Sequence, residues 1–277
     1  MKATIHIELD GKIYEAALPL TEIVAAPKPY LMLNVVNWKP LVVPYADISE
    51  ATYFVLPVSS TGFLIGSSTP AETKFVQDLH AAGKKATFSI AGGSQDVDSL
   101  ITALTVNRVT FIADIVQHLK QYGYDGVTLD FEHTAGKGLA VNIIPDFVNA
   151  LRGALGPSAI LGMYTQPDQL TTSHKALGQA KDALTWASVM VYDAGPYSKD
   201  RFLALSRPWA TMVGADKYLG GVAVNYPNTD GGLSVTQYGE VLDVATQEGW
   251  MGLGVWQHAI FTEPWRTMQR SKWPNLM

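Results

Sequence analysis

The feature that most constrains the fold of this chain is a regular alternation of β-rich runs with segments long enough to form helices. Eight β-rich runs follow one another, at residues 30–38, 51–59, 85–93, 126–133, 159–166, 186–194, 218–226 and 251–259. Strands that alternate with helices pair in parallel, and eight of them close a (β/α)8 barrel. The sequence therefore predicts a single α/β barrel. A doubly wound open sheet is the alternative, but no GxGxxG loop follows the first run, so a dinucleotide-binding fold fits poorly.

The segments between these runs carry the marks of helices. Phe111 and Ile115 belong to an apolar pattern with a spacing of three and four residues, which predicts one buried helix face. Ser234 is a favourable N-cap for a helix over residues 235–248. Gly123 follows a helical stretch and predicts its end.

Residues 1–29 stand apart from this alternation. ATIHIEL and KIYEAAL flank an Asp-Gly pair, a pattern that predicts a β-hairpin with a tight turn. A proline-containing stretch separates the hairpin from the rest, so we divide the chain into a hairpin extension at 1–29 and a barrel at 30–277. The hairpin is expected to plug or brace the base of the barrel, or to dock a partner.

Composition limits the functions that the chain can have. The net charge is −5 and no dense basic run occurs, so neither nucleic acid nor an anionic membrane surface is an expected partner. Cysteine is absent and the histidines lack metal-binding spacing, so we predict no metal site and no cofactor. The start, MKATIHIELDGKIYEA, alternates and lacks the apolar block of a signal peptide.

The strand predicted at 126–133 carries two carboxylates where a buried strand needs none. Side chains alternate along a strand, so Thr128, Asp130 and Glu132 point into the barrel, while the apolar residues between them face the helices. Asp130 and Glu132 lie roughly 7 Å apart at the Cα atoms. Burial and like charge then raise one pKa, which produces a general acid at neutral pH. A polar barrel layer with satisfied hydrogen bonds is the alternative.

DGVTLDFE resembles the DGxxxDxE core of glycoside hydrolase family 18, which contains chitinases and endo-β-N-acetylglucosaminidases. Three further segments agree with that family in chain order. SIAGG at 89–93 is similar to its SxGG segment, MVYD at 190–193 to its MxYD segment, and Trp256 to the tryptophan under the sugar. The resemblance covers residues 30–277.

The resemblance implies a role for each matching residue. Glu132 falls on the catalytic acid, Asp130 on the residue that orients the N-acetyl group, and Tyr192 on the tyrosine that holds it. The remaining matches imply substrate-binding residues: Asp125, Met190, Asp193 and Trp256. The implied mechanism is substrate-assisted and retaining, and it needs neither metal nor cofactor.

Two features depart from the resembled pattern. Thr128 stands where the family commonly has a further aspartate, so proton sharing with Asp130 is weaker; such substitutions also occur in branches that act on bacterial cell walls and spore cortex. Only about one helix of sequence separates the last two strands, so the insertion that walls a deep tunnel is missing. A more open cleft and endo-type cutting are expected.

Other residues at the predicted strand ends are candidates for binding. Trp38 and Tyr164 end the first and fifth β-rich runs, so they are expected either to stack on sugars or to pack at the rim. His258 is interpreted as a satisfied core histidine or as a binding residue near Trp256.

The sequence thus predicts a retaining hydrolase of β-1,4 bonds next to N-acetylglucosamine, with chitin or chito-oligosaccharides as substrate. Peptidoglycan or spore-cortex glycan, the chitobiose core of N-glycans, and a non-catalytic chitin-binding barrel are the alternatives. An extracellular or cell-envelope location is expected from the substrate class.

Overall fold

A computed structural model of the chain describes residues 2–9, 12–19, 28–40, 42–66, 70–93, 95–131, 143–167, 178–224 and 232–276, with the first two ranges described as backbone only. The described strands, in chain order, are β1 (Lys2–Leu9), β2 (Lys12–Pro19), β3 (Tyr30–Val36), β4 (Glu50–Leu56), β5 (Lys85–Ala91), β6 (Gly126–Asp130), β7 (Ile160–Thr165), β8 (Trp186–Met190), β9 (Tyr218–Val224), β10 (Gly232–Leu233) and β11 (Gly252–Trp256). The described α-helices are α1 (Pro70–Ala81), α2 (Val97–Leu104), α3 (Arg108–Tyr122), α4 (Ile143–Leu155), α5 (Lys199–Val213), α6 (Val235–Gln247) and α7 (Glu263–Lys272).

Eight parallel strands close into a barrel. The strands β3 to β9 pair in chain order, β11 lies between β9 and β3, and the β8–β9 pairing completes the ring. This confirms the predicted (β/α)8 fold. Each strand ends one to four residues before its β-rich run does.

Two predicted helix boundaries are confirmed. Ser234 caps α6 with a reciprocal pair of hydrogen bonds to Gln237, which satisfies amides that the first turn leaves unpaired. Gly123 follows α3 in the left-handed conformation at φ 76° and donates its amide to Leu119 O. A glycine adopts this conformation without a steric cost.

The main core lies between the strands and the surrounding helices. Val127 and Leu129 of β6 are fully buried on the outer face. Phe131 follows them and lies 6.1 Å from Phe147 of α4, measured between ring centroids. The apolar half of this strand thus packs on helices, as predicted, and leaves the polar half inside.

A few large rings fill the barrel interior, and glycines on the neighbouring strands leave room for them. A Cβ atom on Gly162 would lie 2.2 Å from the indole of Trp186, so only glycine leaves room for that ring. Interior side chains therefore form a packed core below the mouth.

The strands β1 and β2 form a separate antiparallel sheet. The turn predicted between them lies outside the described residues, and the domain division at residue 29 stays a prediction. Within the described ranges, no single helix has the length and apolarity for crossing a membrane; α2 and α3 meet that test only as a pair bent by 96°.

Candidate active site

Four inward side chains form one layer at the carboxyl ends of every second barrel strand. They are Phe54 of β4, Asp130 of β6, Met190 of β8 and Trp256 of β11. Layers built from alternate strands are the usual filling of such barrels, and the carboxyl ends are where their active sites form. We call these four residues the mouth layer.

Asp130 is the charged member of the mouth layer, and only 2% of its surface is exposed. Its backbone carbonyl accepts a 2.8 Å hydrogen bond from the Gly92 amide. Gly92 has a φ of 107°, and a Cβ there would lie 3.4 Å from Phe54 Cζ and 3.7 Å from Asp130 Oδ2. The SIAGG segment therefore packs against Asp130 on the third barrel strand, where the sequence predicted it.

Ala91 precedes this glycine and pairs with Asp130 across the sheet. It has a φ of 74°, in the left-handed region that disfavours every residue except glycine. The resembled pattern has glycine here, and Ala91 adopts the conformation that glycine favours.

Glu132, the predicted catalytic acid, lies outside the described residues. In the sequence it follows Asp130, the last residue of β6, by two positions. Its role therefore remains a prediction.

The MVYD segment lies at the same end of the barrel as Asp130. Met190 ends β8 and is buried, and the next residues form the 3₁₀ turn Val191–Ala194. Tyr192 is half-buried against the interior cluster that includes Met190, whereas Asp193 is exposed. The structure thus brings Asp130, Met190 and Tyr192 to one end of the barrel, with Asp193 at its rim.

Three aromatic rings form a row beside the mouth. Phe54 packs edge-on against Trp256, with 4.8 Å between ring centroids, and lies 6.1 Å from Trp38 on its other side. Trp38 is 56% exposed, whereas Phe54 is buried between the two indoles. Apolar ring faces next to a carboxylate suit the binding of a sugar, which has both apolar and hydroxyl-bearing surfaces.

Tyr164 does not lie at the mouth, which corrects the prediction that it binds sugar. It is 4% exposed, and its hydroxyl donates a 2.8 Å hydrogen bond to Asn34 Oδ1. Its ring packs edge-on against Trp186 at 5.4 Å. The ring therefore points inward below the rim and is buried in the barrel interior.

Asp125 lies at the opposite end of the barrel, which corrects its assignment as a substrate-binding residue. It precedes β6 and accepts hydrogen bonds from the Ala86 amide at 2.9 Å, His80 at 2.8 Å and Lys85 at 2.8 Å. Partial burial raises the pKa of Asp125, but the hydrogen bonds outweigh it and the net shift is downward. These contacts tie the start of β6 to β5 and to the end of α1.

The interior below Asp130 carries neutral polar groups. Thr128 is fully buried and its hydroxyl donates a weak 3.4 Å hydrogen bond to Phe88 O. Ser89, its neighbour across the sheet, is buried as well. Among the described interior residues, the other carboxylate is Glu50, at the amino end of β4.

Glu50 is fully buried and surrounded by donors. Tyr30 Oη lies 2.6 Å from one carboxylate oxygen and Trp186 Nε1 lies 3.1 Å from it, while Thr87 Oγ1 lies 2.6 Å from the other. Burial raises the pKa of Glu50, although these hydrogen bonds oppose the shift. This network closes the base of the barrel.

His258 is a structural histidine, in agreement with the first of its two interpretations. Its Nδ1 accepts a hydrogen bond from the Val36 amide at 3.2 Å, so Nε2 carries the proton and donates to Pro40 O at 2.8 Å. The ring therefore ties the loop after β3 to the last strand. Burial lowers the pKa of His258, which favours this neutral form.

Sequence reasoning missed three residues that shape the interior: Phe54, Glu50 and Asn34. Glu50, Thr52 and Phe54 alternate along β4, and this pattern was the available signal for an inward polar face. Nothing in the sequence indicated that Asn34 pairs with Tyr164, because the pairing joins strands far apart in the chain.

Active sites of (β/α)8 barrels form at the carboxyl ends of the strands, and here that end carries the buried carboxylate of Asp130 and the aromatic row. Residues 39–227 match the family described as glycosyl hydrolases family 18. The chain therefore belongs to glycosyl hydrolases family 18, and chitinase-type glycosidases are its class of protein.

Individual relatives are more distant. A chitinase-like effector from Moniliophthora roreri is 32% identical over 106 residues, which are 37% of this chain and 26% of that protein. The match thus spans about a quarter of that curated relative.

Two solved structures illustrate the likeness in fold. A chitinase from Rhizomucor miehei has a TM-score of 0.75 at 17% identity, covering 87% of this chain and 99% of that one. The spore cortex-lytic enzyme SleL of Bacillus cereus has a TM-score of 0.74 at 12% identity, covering 95% of this chain and 77% of that one.

Proposed function

We propose that the chain is a retaining glycosidase that hydrolyses β-1,4 bonds next to N-acetylglucosamine, with chitin or chito-oligosaccharides as its substrate. The observation that carries the proposal is the mouth layer, in which Asp130 and Trp256 belong to opposite strands of the ring. A sugar held between them has a carboxylate on one side and an indole face on the other. The acid Glu132 follows Asp130 by two positions.

The reaction uses the substrate's own acetamido group as nucleophile. Glu132, protonated, donates its proton to the glycosidic oxygen while the acetamido oxygen attacks the anomeric carbon and the leaving sugar departs. The product of this step is an oxazolinium ion on the remaining sugar. Asp130 accepts the hydrogen bond of its N–H group, and the Tyr192 hydroxyl donates to the acetamido oxygen as this group approaches the anomeric carbon.

Water completes the reaction. Glu132, now a carboxylate, accepts a proton from the water that attacks the anomeric carbon. The bond between this carbon and the acetamido oxygen breaks in the same step, which opens the oxazolinium ring and restores the acetamido group. Two inversions at one carbon give net retention. Trp256 supports the sugar ring beside Asp130, Asp193 binds a hydroxyl at the rim, and the aromatic row toward Trp38 extends the binding surface.

Peptidoglycan or spore-cortex glycan is a second candidate substrate. It is favoured by Thr128, which departs from the common family pattern, and by the likeness to SleL, which acts on spore cortex. The chitobiose core of N-glycans offers the same acetamido group and is tested with it. All three substrates are consistent with an extracellular or cell-envelope location.

A non-catalytic chitin-binding barrel is the alternative from a different class. The partial match to a chitinase-like effector motivates it. The presence of Glu132 together with Asp130 and Tyr192 argues for the enzyme, since a barrel that only binds has no need of the acid. The hairpin at 1–29 would serve either protein as a docking element for a partner.

One experiment separates these candidates. Chitotetraose, peptidoglycan and a high-mannose glycopeptide are incubated side by side with the wild-type protein and with Glu132→Gln. We expect the wild type to cut chitotetraose and the variant to bind it without turnover. Substantial hydrolysis by the variant would remove Glu132 from the mechanism. Binding without cleavage by the wild type would favour the non-catalytic barrel.

A further inference from the structure

One hydrogen bond crosses the barrel interior directly below the mouth layer. Tyr164 of β7 donates to Asn34 Oδ1 of β3 over 2.8 Å. In the closed ring, β7 and β3 are separated by three strands on either side. The bond therefore joins opposite walls, and both residues are almost completely buried, with 4% and 2% of their surfaces exposed.

Each end of this bond lies next to a strand of the proposed catalytic site. Tyr164 is paired with Asp130 across the β6–β7 sheet. Asn34 donates a longer hydrogen bond, 3.4 Å, to the carbonyl of Val255, the residue before Trp256. The contacts thus run from the wall that carries Asp130 to the wall that carries Trp256.

The phenol is held as a neutral donor. Its oxygen lies 3.0 Å from Met32 Sδ, and its ring packs edge-on against Trp186 at 5.4 Å. Burial raises the pKa of Tyr164 well above its usual range, and the charges of Glu50 and Asp130 act in the same direction. The hydroxyl therefore keeps its proton over the pH range in which a glycosidase works.

We infer that Tyr164 is a positioning residue for the proposed hydrolysis, and that its bond to Asn34 fixes the spacing between Asp130 and Trp256. The inference rests on the proposed function, in which these two residues hold the reacting sugar. Tyr164 acts through its neighbours and does not touch substrate. It braces the mouth from below, where it lies against Met32 and Trp186.

The expected effect is on turnover more than on binding. An error of about 1 Å in a catalytic geometry can reduce the rate by roughly 100-fold. Tyr164→Phe removes the hydroxyl and keeps the ring. The Trp256 side chain is still present in this variant, and its face remains available for the sugar. We expect kcat to fall at least 10-fold while KM changes less than threefold.

A matched control lies in the same barrel. Tyr30 Oη donates to Glu50 over 2.6 Å at the amino end, so Tyr30→Phe also removes a buried hydroxyl from the interior. It is expected to lower the melting temperature while kcat stays within threefold of the wild type. Equal losses of kcat in both variants would overturn the inference, since they would reflect general destabilisation.

A double variant separates positioning from stability. Asn34→Leu combined with Tyr164→Phe replaces both partners with apolar groups, which removes the Asn34 Oδ1 acceptor that Tyr164→Phe leaves without its donor. We expect the melting temperature to recover and kcat to remain low, because the cross-barrel bond is absent. Recovery of kcat together with stability would overturn the inference.

A geometric measurement decides the inference independently of catalysis. Crystal structures of the wild type and Tyr164→Phe give the distance from Asp130 Cγ to the centre of the Trp256 indole. We expect a change of at least about 0.5 Å, the tolerance of a well-positioned site. An unchanged distance overturns the inference, even if the wild type cuts no glycan and the proposed function itself has failed.

Discussion

Asp130 and Trp256 face each other across the mouth of the barrel. They end β6 and β11, which are separated by three strands on either side of the ring. Phe54 supports the indole from the side, at 4.8 Å between centroids. The site therefore has one polar wall and one aromatic wall, and each can be tested by itself.

Trp256→Ala should weaken sugar binding. Loss of the stacking face costs about 1–2 kcal/mol, which corresponds to a roughly 5- to 30-fold higher Kd. Calorimetry with chitotetraose measures this Kd in the Glu132→Gln background, where no turnover interferes. Trp38→Ala is the matched control, because Trp38 is 56% exposed at the outer end of the aromatic row. The Kd of this variant for chitotetraose should differ from that of the parent protein by less than threefold. Equal effects of the two substitutions would contradict the central position of Trp256.

Thr128→Asp should make the protein sensitive to alkaline pH. Thr128 is fully buried on the same face of β6 as Asp130, so burial and like charge raise the pKa of a carboxyl placed there. A carboxyl whose pKa is raised in the folded state stabilises it less as pH increases. The free energy of unfolding in urea should therefore fall from pH 5 to pH 8, relative to the wild type.

Thr128→Val is the control for this substitution, since it removes the hydroxyl and adds no charge. Its difference from the wild type should be independent of pH. A pH-independent difference for Thr128→Asp as well would show that the introduced carboxyl reaches solvent. In the active protein, Thr128→Asp should also add an ionisation to the pH profile of kcat/KM.

Asp125→Asn should reduce stability and leave catalysis unchanged. The ion pairs of Asp125 are partly exposed, so the loss at pH 7 is on the order of 1 kcal/mol. The pKa of Asp125 is lowered in the folded state, so its contribution is present above its unfolded pKa of about 3.9 and lost as pH falls through the folded value. Unfolding at pH 7 and pH 3 tests this trend. A 10-fold loss of kcat/KM in Asp125→Asn would support the original assignment of Asp125 as a substrate-binding residue.

Glu50→Gln should show the opposite pH trend. The amide cannot accept from all the donors around Glu50, so the substitution costs about 1–3 kcal/mol near pH 4.5. Burial raises the pKa of Glu50 in the folded state. The wild type therefore loses stability as pH rises from the unfolded pKa of this carboxyl through its raised folded pKa, whereas the variant does not. The gap between the two unfolding free energies should narrow from pH 4.5 to pH 8. A gap that widens would contradict the raised pKa.

The sequence was sufficient to predict the barrel and the inward face of β6. Alternation determines which face a residue occupies, and this placed Asp130 and Trp256 inside and Phe131 outside. The depth of a residue along a strand was harder to predict. Tyr164 has the inward orientation expected for the site, but the stagger of the closed barrel puts it below the rim, and stagger depends on all eight pairings.

Asp125 shows a related limit. Asp125 matches the first aspartate of the family pattern, but it directly precedes β6, which begins at Gly126. It therefore lies at the amino end of the strand, at the base of the barrel. Asn34 and Glu50 were missed because their partners are distant in the chain. The contact between Asn34 and Tyr164 joins residues 130 positions apart, and no local pattern encodes such a pair.

The two hydrogen bonds of the His258 ring have a consequence for the loop that carries Trp38. Protonation would turn Nδ1 into a donor and set it against the Val36 amide, so the tie between this loop and the last strand depends on a neutral imidazole. Because the pKa of His258 is lowered in the folded protein, the tie should survive in mildly acidic surroundings that would charge an exposed histidine. Acidification of its environment would then leave Trp38, the outer ring of the aromatic row, where it packs against Phe54.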